Sequence, residues 1–190
     1  MFDRVAESIV CDKVIVDDFE SAYDATQHLV KLGSKKTALL STIGNLSVGQ
    51  LRFEGYQKAL KANQLSVDQK LLIIKNDLEA FDEKLAQLIA AEKVDAFFAL
   101  DEHASTMAMK LAIKKGIKIP EELNIIGFAD GVWSKRLTPS LSTVSQHAPE
   151  IGAKAAELLI NKLNTKDEFY QHQTVVVKTE LRQRESTRKL

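Results

Sequence analysis

Hydrophobic positions along this chain follow two alternating patterns. Short runs of strand length, rich in apolar and β-branched residues, occur at Lys13–Val16, Thr37–Leu40, Leu71–Ile74, Ala96–Leu100, Leu123–Phe128 and Thr174–Val177. A further extended piece, Leu141–Ser145, follows the break at Thr138-Pro139. Between these runs the apolar residues recur at helical spacing. Residues 19–32 place Ala22, Ala25, Leu29 and Leu32 on one side, begin after Asp17-Asp18 as candidate caps, and stop at Gly33. Later helices carry Phe53, Tyr56 and Leu60; then Phe81, Leu85, Leu88 and Ile89; then Ala104, Met107, Ala108 and Leu111, stopped by Gly116. A fifth begins around Pro149, a favoured first helical residue, and carries Ile151, Ala155, Leu158, Leu159 and Leu163. A polar loop, 164–173, leads to the last strand and a charged tail, 183–190. This alternation predicts an α/β fold: a doubly wound parallel sheet with helices on both faces.

Composition narrows the function more than the fold. At 190 residues and 45% hydrophobic, the chain suits one large domain or two small lobes. Its 26 basic and 26 acidic residues cancel, leaving no excess to neutralise phosphates, so DNA binding by this chain alone is not expected. The single cysteine, Cys11, excludes an internal disulfide and fits a reducing cytoplasm. No signal-like leader and no membrane-spanning apolar run appears, which points to a soluble, cytoplasmic protein. The basic stretch Arg182–Lys189, interrupted by Glu185, reads as a solvated, partly frayed end rather than a nucleic-acid patch.

No enzyme motif survives inspection. Gly44 and Gly49 have the spacing of a phosphate loop, but Gln50-Leu51 stand where Lys-Ser/Thr would grip phosphate and magnesium. Neither G-x-G-x-x-G nor G-x-S-x-G occurs. The histidines at 28, 103, 147 and 172 show no metal-ligand spacing, so neither metal nor cofactor is expected. Asp101-Glu102-His103 reads as the polar turn capping the helix that starts near Ala104. The strand that stops at Asp130-Gly131 puts polar groups at its carboxyl end, where open α/β sheets hold ligands. Arg52, near a helix start, opposes the macrodipole and wants a partner; its planar fork suits vicinal hydroxyls or a carboxylate. On its own it reads equally well as a solvent-exposed arginine.

Several segments, in order, resemble the effector-binding core of the LacI/GalR family of transcriptional regulators. Phe2-Asp3-Arg4 is similar to the family's F-D-R strand end. Val14–Gly33 is similar to its V-x-x-D…A-T-x-H-L segment, with Ser34 where histidine is usual. Arg52-x-x-Gly55-Tyr56 matches R-x-x-G-[FYW], and Phe97–Asp101 resembles a strand ending in N-D. Ile125–Asp130 and Pro139–Gln146 resemble I-I-G-F-D-D and P-x-L-T-T-V-x-Q, and Leu181–Ser186 the closing L-x-x-R-x-S.

The resemblance implies a periplasmic-binding-protein-like (type I) lobe that senses a small molecule, a saccharide by preference, and dimerises. DNA would be bound only through a helix-turn-helix head outside this chain. It divides the chain into residues 1–17, a remnant of the amino-terminal lobe; 18–146, the carboxy-terminal lobe; 147–163, a crossover helix of the first lobe; and 164–190, return strands and tail of the second. Head and most of the first lobe are expected to be missing, so effector affinity should be weak. Arg52, Asp3, Asp101, Asp130 and Gln146 are the implied polar contacts. Trp133 is a candidate stacking face, with loop packing or a subunit contact an equal alternative. Ala129 stands where the family's effector carboxylate usually is, and Leu100 where an amide is common. Each lost partner is worth about 1–3 kcal/mol, so familiar galactoside or purine geometry is not expected. The G-F-A-D-G-V-W-S-K wording resembles regulators of the Bacteroidetes type. Arg52→Ala in the full-length protein should remove effector-induced stabilisation and leave the fold intact. A periplasmic sugar-binding protein of a transport system, which shares the fold, is the alternative.

Overall fold

The computed structural model describes residues 1–6, 8–91, 93–164 and 170–189. Its elements follow the predicted alternation: β1 (Lys13–Val16), α1 (Asp18–Lys31), β2 (Thr37–Ser41), α2 (Ser47–Ala62), β3 (Leu72–Ile74), α3 (Leu78–Ala91), β4 (Ala96–Ala99), α4 (Glu102–Lys114), β5 (Asn124–Phe128), β6 (Ser142–Ser145), α5 (Ala148–Asn164), β7 (Thr174–Val177) and β8 (Glu180–Arg182). Strand β8 has no counterpart among the predicted strands. Its three residues are too short and too polar to show a period. Of the predicted loop 164–173, residues 165–169 lie outside the described residues, as does Leu190 at the end of the tail.

The larger sheet has six strands in the order β3-β2-β4-β5-β6-β8, parallel except for β8, which runs antiparallel along β6. Alternate strand residues point to opposite faces. Leu39, Phe98, Leu100, Ile126, Phe128 and Val144 meet α1 and α2 on one face. Ala38, Leu40, Phe97, Ala99 and Ile125 meet α3 and α4 on the other. Burial on both faces explains why these strands read as continuous apolar runs. The order reverses between β2 and β4, and the carboxyl ends of that pair define the switch point where such sheets hold ligands.

Strands β1 and β7 form a second, two-stranded parallel sheet, with Phe2 bridging to Val14 on the far side of β1. Helix α5 covers it through a small cluster of Val14, Val16, Ile151 and Val177. The sequence reading grouped 164–190 with the larger lobe; the structure splits that segment, with β7 in the small sheet and β8 in the large one. Only part of the predicted apolar face of α5 is covered. Leu159 and Leu163 are 58% and 76% exposed. Leu159 borders an apolar groove of about 540 Å³ between α5 and β1, lined also by Met1, Phe2, Val14, Ala155 and Leu158 among others.

The tail overturns the expectation of a frayed end. Ser186 and Thr187 are buried. Ser186 exchanges hydrogen bonds with Ile125 through its backbone carbonyl and its Oγ, and its Oγ also accepts from the Ser142 backbone N–H at 2.8 Å. Arg184 and Arg188 donate to the carbonyls of Leu141 and Glu121, which ties both side chains to the fold.

The candidate caps of α1 do other work. Asp17 occupies the cap position without a side-chain capping bond. Its Oδ1 instead accepts the Thr179 N–H at 2.9 Å and its Oδ2 lies 3.1 Å from Lys178 Nζ, tying the entry of α1 to the segment between β7 and β8. Burial pushes the Asp17 carboxyl up, but the Thr179 N–H and Lys178 outweigh it, and the net displacement is below the ordinary value of 3.8. A depressed folded pKa contributes stability above the unfolded value that disappears as pH falls through the folded one. Asp17→Asn should therefore be less stable than wild type at neutral pH. Its thermal midpoint should also fall less steeply between about pH 5 and pH 2, measured by circular dichroism. Parallel pH profiles would contradict this.

Candidate functional site

The residues that converge at the switch point come from α1, α2 and the ends of β4, β5 and β6. Helix α2 begins at Ser47, so Arg52 lies in its second turn rather than at its start, and the macrodipole has little bearing on it. Its guanidinium is buried, at 3% exposure, and nearly consumed. Nε donates to Asp18 Oδ1 at 2.6 Å, Nη1 to the Leu100 carbonyl at 2.7 Å and Nη2 to Gln146 Oε1 at 2.7 Å. The Phe128 ring lies flat beneath it, with Cζ 3.9 Å from the centroid. Of the five guanidinium N–H groups, one on each terminal nitrogen has no acceptor among the described residues.

The motif around Arg52 now has a physical explanation. Gly55, one turn on, faces α1: a Cβ there would overlap the Phe19 carbonyl and the Ala22 side chain. The two helices therefore approach closely enough to bring Asp18 to Arg52. Tyr56 is buried and donates to the Thr37 carbonyl at 2.8 Å, locking α2 to β2; burial also pushes its hydroxyl pKa up.

Asp18, at 3% exposure, is a member of the cluster that the sequence does not single out. Burial raises its carboxyl pKa, the charge and hydrogen bond of Arg52 pull it back, and Asp3 and Asp17 push it up again. The sequence offers only an indirect hint, legible once Arg52 is known to be buried. Only one of two consecutive aspartates can cap a helix, and a buried arginine requires an anion.

The other predicted residues divide into two groups. Gln146 joins the cluster through Arg52, and Asp130 supports it indirectly. The Asp130 carboxylate accepts from the Ser145 hydroxyl, the Gln146 N–H at 2.9 Å and the Ala148 N–H at 3.2 Å. It thus fixes the corner between β6 and α5 from which Gln146 reaches Arg52. Asp101 spends both oxygens internally, on Ala104 N–H at 2.8 Å and Thr42 N–H at 2.7 Å. It caps α4, as the sequence suggested, and ties that cap to the end of β2. Asp3 sits half-exposed at a positive φ of 59°, close enough to raise the Asp18 pKa. Trp133 does not reach the cluster. It stands 65% exposed on a short 3₁₀ turn, Val132–Lys135, with Arg136 Cζ 5.8 Å from its ring. Ala129 and Leu100 are both buried, so the strand ends present apolar groups beside the arginine. A pocket of about 240 Å³ opens nearby, lined by Ser41, Gly44, Phe53, Gln57, Ile74 and Leu100 among others. Among the described residues no group of His, Cys, Asp and Glu side chains is arranged to hold a metal ion, and no helix is long and apolar enough to cross a membrane.

Comparison with known proteins identifies the family and the fold. Residues 26–187 match the family described as the periplasmic binding protein-like domain. The HTH-type transcriptional regulator MalR of Clostridium butyricum is 31% identical over 173 residues, covering 90% of this chain and 51% of that protein. The chain thus spans about half the length of such relatives. Two solved structures share the fold. One is a transcriptional regulator CelR–cellobiose complex, with TM-score 0.87, 23% identity, and coverage of 97% of this chain and 57% of the other. The second is a LacI family transcriptional regulator from Enterococcus faecium with bound ribose, with TM-score 0.88, 24% identity, and coverage of 100% and 70%.

Proposed function

Because the chain belongs to the periplasmic binding protein-like domain family, in the form carried by LacI-type transcriptional regulators, we propose that it is the effector-binding and dimerisation part of such a regulator. The observation that carries this reading is the buried Arg52, held between Asp18, Leu100 and Gln146 at the switch point of the sheet. A guanidinium fixed there, with an N–H on each terminal nitrogen unclaimed among the described residues and an aromatic face beside it, suits the vicinal hydroxyls of a saccharide. The effector is a small saccharide, bound between the larger unit (18–146, with β8 and the tail) and a lobe to which β1, α5 and β7 belong. The two lobes close on it, and the closure alters the dimer that presents DNA-binding heads. The relatives are regulators rather than enzymes or transport proteins, and the protein works in the cytoplasm without catalysis. Asp130 and Asp101 act by shaping the site, and Gln146 is the residue that exchanges Arg52 for ligand.

Half a cleft should bind poorly. Titration of the 190-residue chain with ribose and cellobiose by calorimetry should give millimolar affinity at best. The protein extended to the length of its relatives should bind its saccharide at least roughly 100-fold more tightly, a gain of about 2.7 kcal/mol. Micromolar binding by the chain alone would refute this division of the site.

A further inference from the structure

We propose that the Arg52 site is built for an uncharged ligand and rejects phosphorylated or carboxylated ones; this rests on Arg52 being the effector contact. An anion seeks a cation whose charge is still available. Arg52 has none to offer: its Nε is 2.6 Å from Asp18 Oδ1, and both side chains are almost completely buried, at 4% and 3% exposure. What remains on its terminal nitrogens is hydrogen-bonding capacity, which a hydroxyl uses as well as a phosphate oxygen does.

The surroundings add negative potential. Asp3 and Asp17 act on Asp18 from the amino-terminal side, Asp101 borders Leu100, and Asp130 holds the corner at Gln146. The cations near the mouth are already engaged. Lys178 lies 3.1 Å from Asp17, Arg182 lies 2.8 Å from Glu180 and 3.9 Å from Asp130, and Arg4 lies 3.9 Å from Asp3. His147 lies beside Glu180 and Arg182, and Arg184, which donates to the Leu141 carbonyl, is a further neighbour of that pair. Carboxylates therefore outnumber cations around a guanidinium already neutralised, and the low-dielectric setting magnifies the repulsion an incoming anion meets. Leu100 and Ala129, both buried at the strand ends, bring no positive charge to the site.

The test follows the Arg52 Nε–H resonance of the chain in low salt during titration with ribose, ribose 5-phosphate and inorganic phosphate. In wild type the two phosphates should bind at least roughly tenfold more weakly than ribose. Asp18→Asn keeps an oxygen acceptor for Nε and frees the charge of Arg52, so this variant should gain a phosphate-dependent shift. If Asp18→Asn does not fold, Asp3→Asn serves instead, because Asp3 is half-exposed and, among the described residues, pairs with Arg4 at 3.9 Å. That variant should tighten phosphate binding relative to wild type. Phosphate binding to wild type as strong as ribose binding would overturn the proposal, as would a variant with no gain. An Arg52 resonance that ribose also leaves unmoved would count against Arg52 as the contact for that sugar, a separate result.

Discussion

Arg52→Ala is expected to destabilise the fold by about 3–5 kcal/mol at neutral pH, because it leaves the Asp18 carboxylate buried without its counter-charge. The Leu100 carbonyl and Gln146 Oε1 lose their donor in the same change. This revises what the motif alone suggests, namely a variant that loses its ligand and keeps its fold. The loss should also depend on pH. Burial already raises the Asp18 pKa, and removing Arg52 raises it further, so the penalty of the ionised form grows above that pKa and shrinks as pH falls toward it. Urea midpoints for Arg52→Ala should therefore approach those of wild type on acidification from neutrality. The double variant Asp18→Asn/Arg52→Ala should recover part of the neutral-pH loss. A single variant as stable as wild type at pH 7 would mean that water reaches Asp18 and that the ion pair is not a fixture of the site.

Removing residues 183–190 should prevent folding altogether. The segment crosses the ends of β5 and β6 and supplies partners to the Ile125 N–H and carbonyl, the Ser142 N–H and the Asn124 side chain, all in buried residues. Each buried group left unpaired costs about 1–3 kcal/mol, so several together consume the 5–15 kcal/mol that an ordinary domain has. Ser186→Ala isolates the effect at one residue, with an expected cost of about 2 kcal/mol from the unpaired Ser142 N–H and Ile125 carbonyl. Far-ultraviolet circular dichroism and urea unfolding distinguish these outcomes. A truncated chain with a cooperative transition near the wild-type midpoint would show that the strap contributes little.

These residues also show why some of the structure was legible in the sequence and some was not. The strands of the large sheet were legible because burial on both faces forces continuous apolar runs, as at Ala96–Leu100 and Leu123–Phe128. Gly33, at a φ of 92°, ended its helix as expected. The tail was misread because its stabilisation comes from hydrogen bonds rather than apolar contacts. A sequence such as Arg-Gln-Arg-Glu-Ser-Thr has no hydrophobic period, and its buried members are hydroxyls. At the site, Arg52 and Gln146 stood out through their motifs and do meet. The pairing of Arg52 with Asp18 was hidden because the two lie 34 positions apart and meet only through the α1–α2 contact that Gly55 permits. Asp101 and Asp130 were visible as polar strand ends, but their oxygens point to backbone N–H groups of neighbouring segments. Only the folded arrangement shows that.

Where the chain passes between the two sheets, it does so at Val16–Asp18, at Ser145–Ala148 and at Val177–Glu180. Asp17 ties the first of these passages to the third, and Asp130 grips the second, through backbone N–H groups in both cases. Considered as a joint, the connection has a stiffness set by carboxylates rather than by the bending of bare peptide. At Asp17, whose charged form the Thr179 N–H and Lys178 favour, acid would then act as a release for one of these ties.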